Sequence, residues 1–77
     1  MRAEELREHY EQEVSTPNGI GQLAGKKTVD GQVRGLVVLR VKDLPQLDDD
    51  SLGTFKLGGK EYAIYSYPPE MIEAIEP

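Results

Sequence analysis

Seventy-seven residues, no cysteine and a net charge of −5 bound this chain tightly. That length holds one domain with a modest core, and without thiols neither a disulfide nor a thiolate metal site can reinforce it. The acidic total argues against non-specific nucleic-acid binding, which needs clustered cations to release counterions.

The charge is segregated. Residues 1–13 carry five Glu against Arg2 and Arg7, and residues 43–77 carry eight acids against Lys56 and Lys60. Between them, Lys26, Lys27, Arg34, Arg40 and Lys42 face only Asp30, so the middle third is the basic region. The start, Met1-Arg2-Ala3-Glu4-Glu5, is too charged for a signal peptide, and no apolar run approaches membrane-spanning length. The expectation is a soluble, cytoplasmic protein without a membrane partner.

Residues 3–12 read as a short helix, with Ala3, Leu6, Tyr10 and Val14 on one stripe and Glu4–Arg7 and Arg7–Glu11 as charge pairs. About ten residues do not hold an isolated helix in water, so Leu6 and Tyr10 are expected to dock on the rest of the chain. Residues 1–12 are therefore read as a helix packed on or attached to the domain, and residues 13–77 as the small β-barrel domain itself.

Hairpin punctuation follows. Thr16-Pro17-Asn18-Gly19 puts a fixed φ and then Asn-Gly where a turn wants them. Asp30-Gly31 and Gly58-Gly59 are two-residue hairpin signals. A loop at Asp30-Gly31 pairs Val29 with Gln32, Lys27 with Arg34, Ala24 with Val37, Gln22 with Leu39 and Ile20 with Val41. One face then carries Ile20, Ala24, Val33, Val37, Leu39 and Val41 as a core. The other carries Leu23 opposite Val38, with Leu36 nearby and the cations at the tip, and the Leu6–Tyr10 stripe is its natural cover.

A loop at Gly58-Gly59 sets Phe55 opposite Tyr62 and Lys56 opposite Glu61, an aromatic pair and an opposite-charge pair. This register is expected to turn Phe55, Leu57, Tyr62 and Ile64 inward and Ala63, Tyr65 and Tyr67 outward. Residues 43–52, with Pro45 and Asp48-Asp49-Asp50, read as a long polar loop. The end of the chain reads as a turn at Pro68–Met71 and a short closing strand, with a helical turn over residues 72–76 as the alternative.

Together these features predict a mainly β fold, a small five-stranded antiparallel barrel with a short N-terminal helix. The strand count, the Pro17-x-Gly19-x-Gly21 element before a long strand and the Pro-led turn before the last segment resemble SH3-like and Tudor-like small barrels. That resemblance spans roughly residues 13–77 and implies binding of peptides, nucleic acids or other subunits rather than catalysis. The chain has no Trp, so the usual anchor for proline-rich ligands is missing, and the architecture is carried over without the ligand class.

Motifs for chemistry are few. Gly19-x-Gly21-x-x-Ala24, with Asp43 about twenty residues on, has the form of a dinucleotide fingerprint. That motif needs a strand before and a helix after it, and Gln22 to Val29, with Gly25, Thr28 and Val29, is a poor helix. Gly25-Lys26-Lys27-Thr28 fails as a phosphate loop, because Ile20 stands where the earlier glycine belongs and Lys27 where Ser or Thr is needed. Asp48-Asp49-Asp50 lacks the alternation, central Gly and terminal Glu of a calcium loop and reads as a solvated run. His9 is the sole histidine and falls beside Glu5 on a charged helix, which leaves no zinc site and no triad. No cofactor, metal or enzymatic activity is expected.

Two candidate surfaces remain. Tyr65, Tyr67 and Pro68 form an aromatic strip suited to a protein partner or a second copy, unless another segment of the same chain covers it. Lys26, Lys27 and Arg34 cluster at a hairpin tip, where an acidic or phosphate partner would offset like-charge repulsion, unless the side chains simply splay into water. The sequence thus predicts a non-catalytic interaction module, pictured as an accessory or regulatory protein, with a nucleic-acid-binding barrel using the three cations as the alternative.

Overall fold

The computed structural model describes residues 1–43 and 51–75, of which Asp43 is described in its backbone alone. The chain is mainly β. Its six strands are β1 (Glu13–Thr16), β2 (Gly19–Val29), β3 (Gln32–Arg40), β4 (Gly53–Leu57), β5 (Lys60–Tyr67) and β6 (Glu73–Ala74). They form one antiparallel sheet in the order β4-β5-β3-β2-β1-β6. The edges β4 and β6 do not pair with each other, so the sheet is open and six-stranded rather than a closed barrel of five.

The predicted turns are present. Thr16 pairs with Gly19 across Pro17-Asn18, and the Thr16 hydroxyl accepts from Asn18 N (3.2 Å) while donating to Gly19 O (2.7 Å). Asp30 and Gly31 both take positive φ (52° and 80°), as do Gly58 and Gly59 (60° and 79°), which is what a two-residue loop matching strand twist requires. The pairs Phe55–Tyr62 and Lys56–Glu61 are as the register predicts. So is the C-terminal segment: a 3₁₀ turn, Pro69–Met71, precedes the closing strand β6, which pairs with β1. The predicted polar loop, with its three consecutive Asp, lies mostly outside the described residues, as does the end of the 72–76 segment.

Three expectations are corrected. The N-terminal helix is a 3₁₀ helix, Ala3–His9, whose one buried residue is Leu6. The segment after it is tied to β2, where Glu11 N donates to Leu23 O (2.7 Å) and Leu23 N to Gln12 O (3.0 Å).

The β2–β3 register holds from Val29–Gln32 to Gly25–Leu36, then shifts at a bulge between Leu23 and Gly25. Leu23 therefore meets Val37 and is buried, whereas Ala24 is exposed and Ile20 is 62% exposed. A single unpaired residue inverts every side chain beyond it.

The faces of β4 and β5 are also reversed. Ala63, Tyr65 and Tyr67 are buried, while Tyr62 and Ile64 are half-buried and Phe55 and Leu57 exposed. Both alternating sets are apolar, so hairpin register alone does not choose between them. The choice is made by β3, which sets Val37 against Tyr65 and Leu39 against Ala63.

The core therefore gathers Leu6, Val14, Leu23, Val37, Leu39, Ala63, Tyr65, Tyr67 and Ile72 on one side of the sheet. Two glycines let the chain close over it. The place of a Cβ on Gly35 is taken by Ile72 Cδ1, 2.5 Å away. A Cβ on Gly21 would lie 2.6 Å from the Val38 carbonyl oxygen and 2.7 Å from Val37 Cγ1. A backbone oxygen cannot swing aside as a side-chain tip can, so Gly21→Ala is expected to cost about 1–3 kcal/mol by overpacking. Chemical denaturation checks this, and an unchanged midpoint would mean that β2 and β3 are further apart here.

Candidate functional site

The hairpin tip supplies the cations. Strand alternation puts Lys27, in register with Arg34, on the outer face, while Lys26 pairs with Gly35 and points the opposite way. The predicted three-cation cluster is thus split, with Lys27 and Arg34 together and Lys26 apart.

Arg34 is fixed. Its Nε donates to Ser66 Oγ (3.1 Å) and its Nη2 to the Ser66 carbonyl oxygen (3.0 Å), which ties the β2–β3 hairpin to the end of β5. The guanidinium has five N–H donors, so a fork of Nη donors remains for another group. Lys27 is exposed and has no such tie among the described residues.

The tyrosines are not an outward strip. Tyr65 is 2% exposed and Tyr67 7%, and their rings stack at 6.1 Å within the core. Asn18 Nδ2 donates to the Tyr67 hydroxyl (2.7 Å), pinning the β1–β2 turn to the end of β5. Pro68 follows, half-buried, and leads into the exposed Met71.

These pieces meet. A cleft of ≈ 540 Å³ is lined by Lys27, Val29 and Arg34 from the hairpin, Asn18 from the first turn, and Tyr65, Ser66, Tyr67, Pro68 and Met71 from β5 and its exit. Two surfaces that are separate in the sequence thus become one. The pairing of Gly35 with Tyr67 is what joins them, since it brings the last residue of β5 beside the base of the hairpin tip. No acidic side chain lines the cleft among the described residues. Its polar side chains are the cations Lys27 and Arg34, the hydroxyls of Tyr65, Ser66 and Tyr67, and the carboxamide of Asn18, and its apolar ones are Val29, Pro68 and Met71.

The outer sheet face holds a feature that the sequence reading turned inward. Phe55 and Tyr62 stack at 5.4 Å there, with Leu57 (68% exposed) on the edge strand beside them. The signal for it was the apolar alternation of β4 itself, assigned to the wrong side.

Elsewhere, β2 runs through Gly19, Gly21 and Ala24, so the dinucleotide-like spacing lies on a strand and not before a helix. His9 Nδ1 and Gln12 Oε1 are 3.1 Å apart. Among the described residues, no three His, Asp or Glu side chains are placed to hold a metal ion, and no helix is long and apolar enough to cross a membrane. Comparison with family models, with curated proteins and with solved structures finds no match for this chain.

Proposed function

We propose that this chain is a non-catalytic interaction module, an SH3-like or Tudor-like sheet that docks a protein partner through the cleft at the base of the β2–β3 hairpin. One observation carries the reading: Lys27 and Arg34 share a concave surface with Tyr67, Pro68 and Met71. Anchored polar groups beside apolar walls give orientation and burial together, the combination expected of a binding site. The SH3-like architecture is supported by the return of β6 to β1 after a Pro-led 3₁₀ turn. Tyr67 and Pro68 keep a place in the site, Tyr67 as its floor rather than as an exposed anchor.

The test compares capture of host proteins by the full chain with capture by Lys27→Glu. Lys27 is exposed and outside the core, so the substitution reverses a charge in the cleft without disturbing the fold. A specific partner should be retained by the parent chain and lost by the variant. A partner held equally by both would move the interface elsewhere, with the stacked Phe55–Tyr62 face next in line.

The nucleic-acid reading has one observation in its favour, the in-register pair Lys27–Arg34. It predicts binding that weakens steeply with salt. The outward turn of Lys26 on the opposite face removes one of its three cations from the cleft.

A further inference from the structure

We infer that the cleft selects an extended acidic segment bearing an aliphatic side chain, with a carboxylate on Lys27 and Arg34 and the aliphatic group against Val29, Pro68 and Met71. This rests on the reading of the chain as an interaction module and specifies what the module takes.

The polar half of the cleft is built for a carboxylate. Arg34 spends its Nε and one Nη2 donor on Ser66, which orders the side chain and leaves its other Nη donors without a protein partner among the described residues. A guanidinium fork matches the two oxygens of a carboxylate, and an ordered side chain loses less rotamer freedom on binding than a free one. Lys27 stands directly across the strand pair. Two like charges in cross-strand register repel, and an anion set between them reverses that repulsion. The net charge of −5 opposes approach from a distance, yet at physiological salt charges beyond about 8 Å are largely screened, so the local pair governs the bound state.

The apolar half sets the second requirement. Val29 and Met71 are 38% and 51% exposed, flanking the half-buried Pro68. A polyanion without apolar groups would leave these walls wet. A methionine thioether adapts to aliphatic neighbours of varied shape, which suits a wall that accepts more than one side chain.

Nucleic acid fits this surface less well. Sequence-tolerant binding of single strands uses exposed aromatic faces for base stacking along a cationic groove. Here the rings of Tyr65 and Tyr67 stack on each other inside the core, and the cleft lining holds two cations.

The experiment is an NMR titration of the full, ¹⁵N-labelled chain with three probes. These are the blocked hexapeptide acetyl-Glu-Asp-Leu-Glu-Asp-Leu-amide, its twin with Gln and Asn for the acids, and a short oligothymidine. The acidic peptide should shift the amides of Val29, Arg34, Ser66 and Met71 and the side-chain amide of Asn18. The neutral twin should bind about tenfold more weakly, the difference expected from losing a charge-assisted hydrogen-bonded contact. Lys27→Glu should weaken the acidic peptide by a similar factor while leaving the spectrum of the free protein largely unchanged. Arg34→Lys keeps the charge but not the fork, and should lose most of the binding.

If the twin shifts the same resonances with equal affinity, selection for acid is wrong while the cleft survives as a docking site. If none of the three probes moves cleft resonances, the cleft reading falls as well. Tighter binding of the oligothymidine than of the acidic peptide would overturn the inference in favour of nucleic acid.

Discussion

Replacing Tyr65 with serine is expected to unfold the domain or bring it close to unfolding. Tyr65 is 2% exposed, lies opposite Val37 on β3 and stacks on Tyr67. Truncating a buried aromatic costs about 3–5 kcal/mol, because the transfer energy of the ring is lost and the surrounding strands only partly close the cavity. Native domains hold about 5–15 kcal/mol in total, and a small one sits towards the lower end, so that is a large share of the whole. At about 4–8 °C per kcal/mol for a chain of this size, the thermal midpoint should fall steeply. Loss of partner binding in this variant would report unfolding rather than a removed contact. Tyr62→Ser is the control, since Tyr62 is half-buried on the outer face and should cost clearly less. A larger fall for Tyr62→Ser than for Tyr65→Ser would mean that the faces of β5 have been assigned the wrong way round.

Leu6→Ala should destabilise by about 2–5 kcal/mol, far more than its place on a short N-terminal 3₁₀ helix suggests. Leu6 is fully buried, and its Cδ2 lies 3.3 Å from where a Gly35 Cβ would stand, beside Ile72 and Leu23. The helix packs against β2 and β3. Arg7→Ala, one residue along and exposed, should stay within about 0.5 kcal/mol of the parent. Urea denaturation distinguishes the two. Matching midpoints for these variants would make residues 1–12 an appendage rather than part of the core.

The candidate site was half legible in the residues. The Asp30-Gly31 loop places Lys27 opposite Arg34, and that pairing needs only the hairpin. Its union with Tyr67 and Pro68 needs β3 to pair with β5, a contact between segments far apart in sequence. Nothing local to Tyr67 announces it. The hydrogen bonds of Arg34 to Ser66 and of Asn18 to Tyr67 follow from the same long-range pairing.

The reversed face of β4 and β5 has a related cause. Phe55, Tyr62 and Ile64 form one apolar set and Ala63, Tyr65 and Tyr67 another, so alternation is satisfied either way. The bulge at Ala24 was equally hidden, because nothing in Leu23-Ala24-Gly25 forbids the continuous ladder that would have buried Ala24. The bulge persists because it turns the larger Leu23 into the core in place of Ala24, a gain in buried apolar area that only the assembled sheet can express.

The turns, the strands they join, the registers near each tip, the closing segment after Pro68 and Pro69 and the basic character of the middle third are all legible in the residues. These depend on backbone angles open to Gly, Asn, Asp and Pro and on charges counted along the chain, all of which act within a few residues. Which face of each strand is buried, the six-stranded open sheet and the union of two separate surfaces in one cleft emerge only in the assembled chain. Those outcomes depend on which arrangement removes the most apolar area from water while leaving Lys27 and Arg34 at the surface, a comparison made over the whole chain at once.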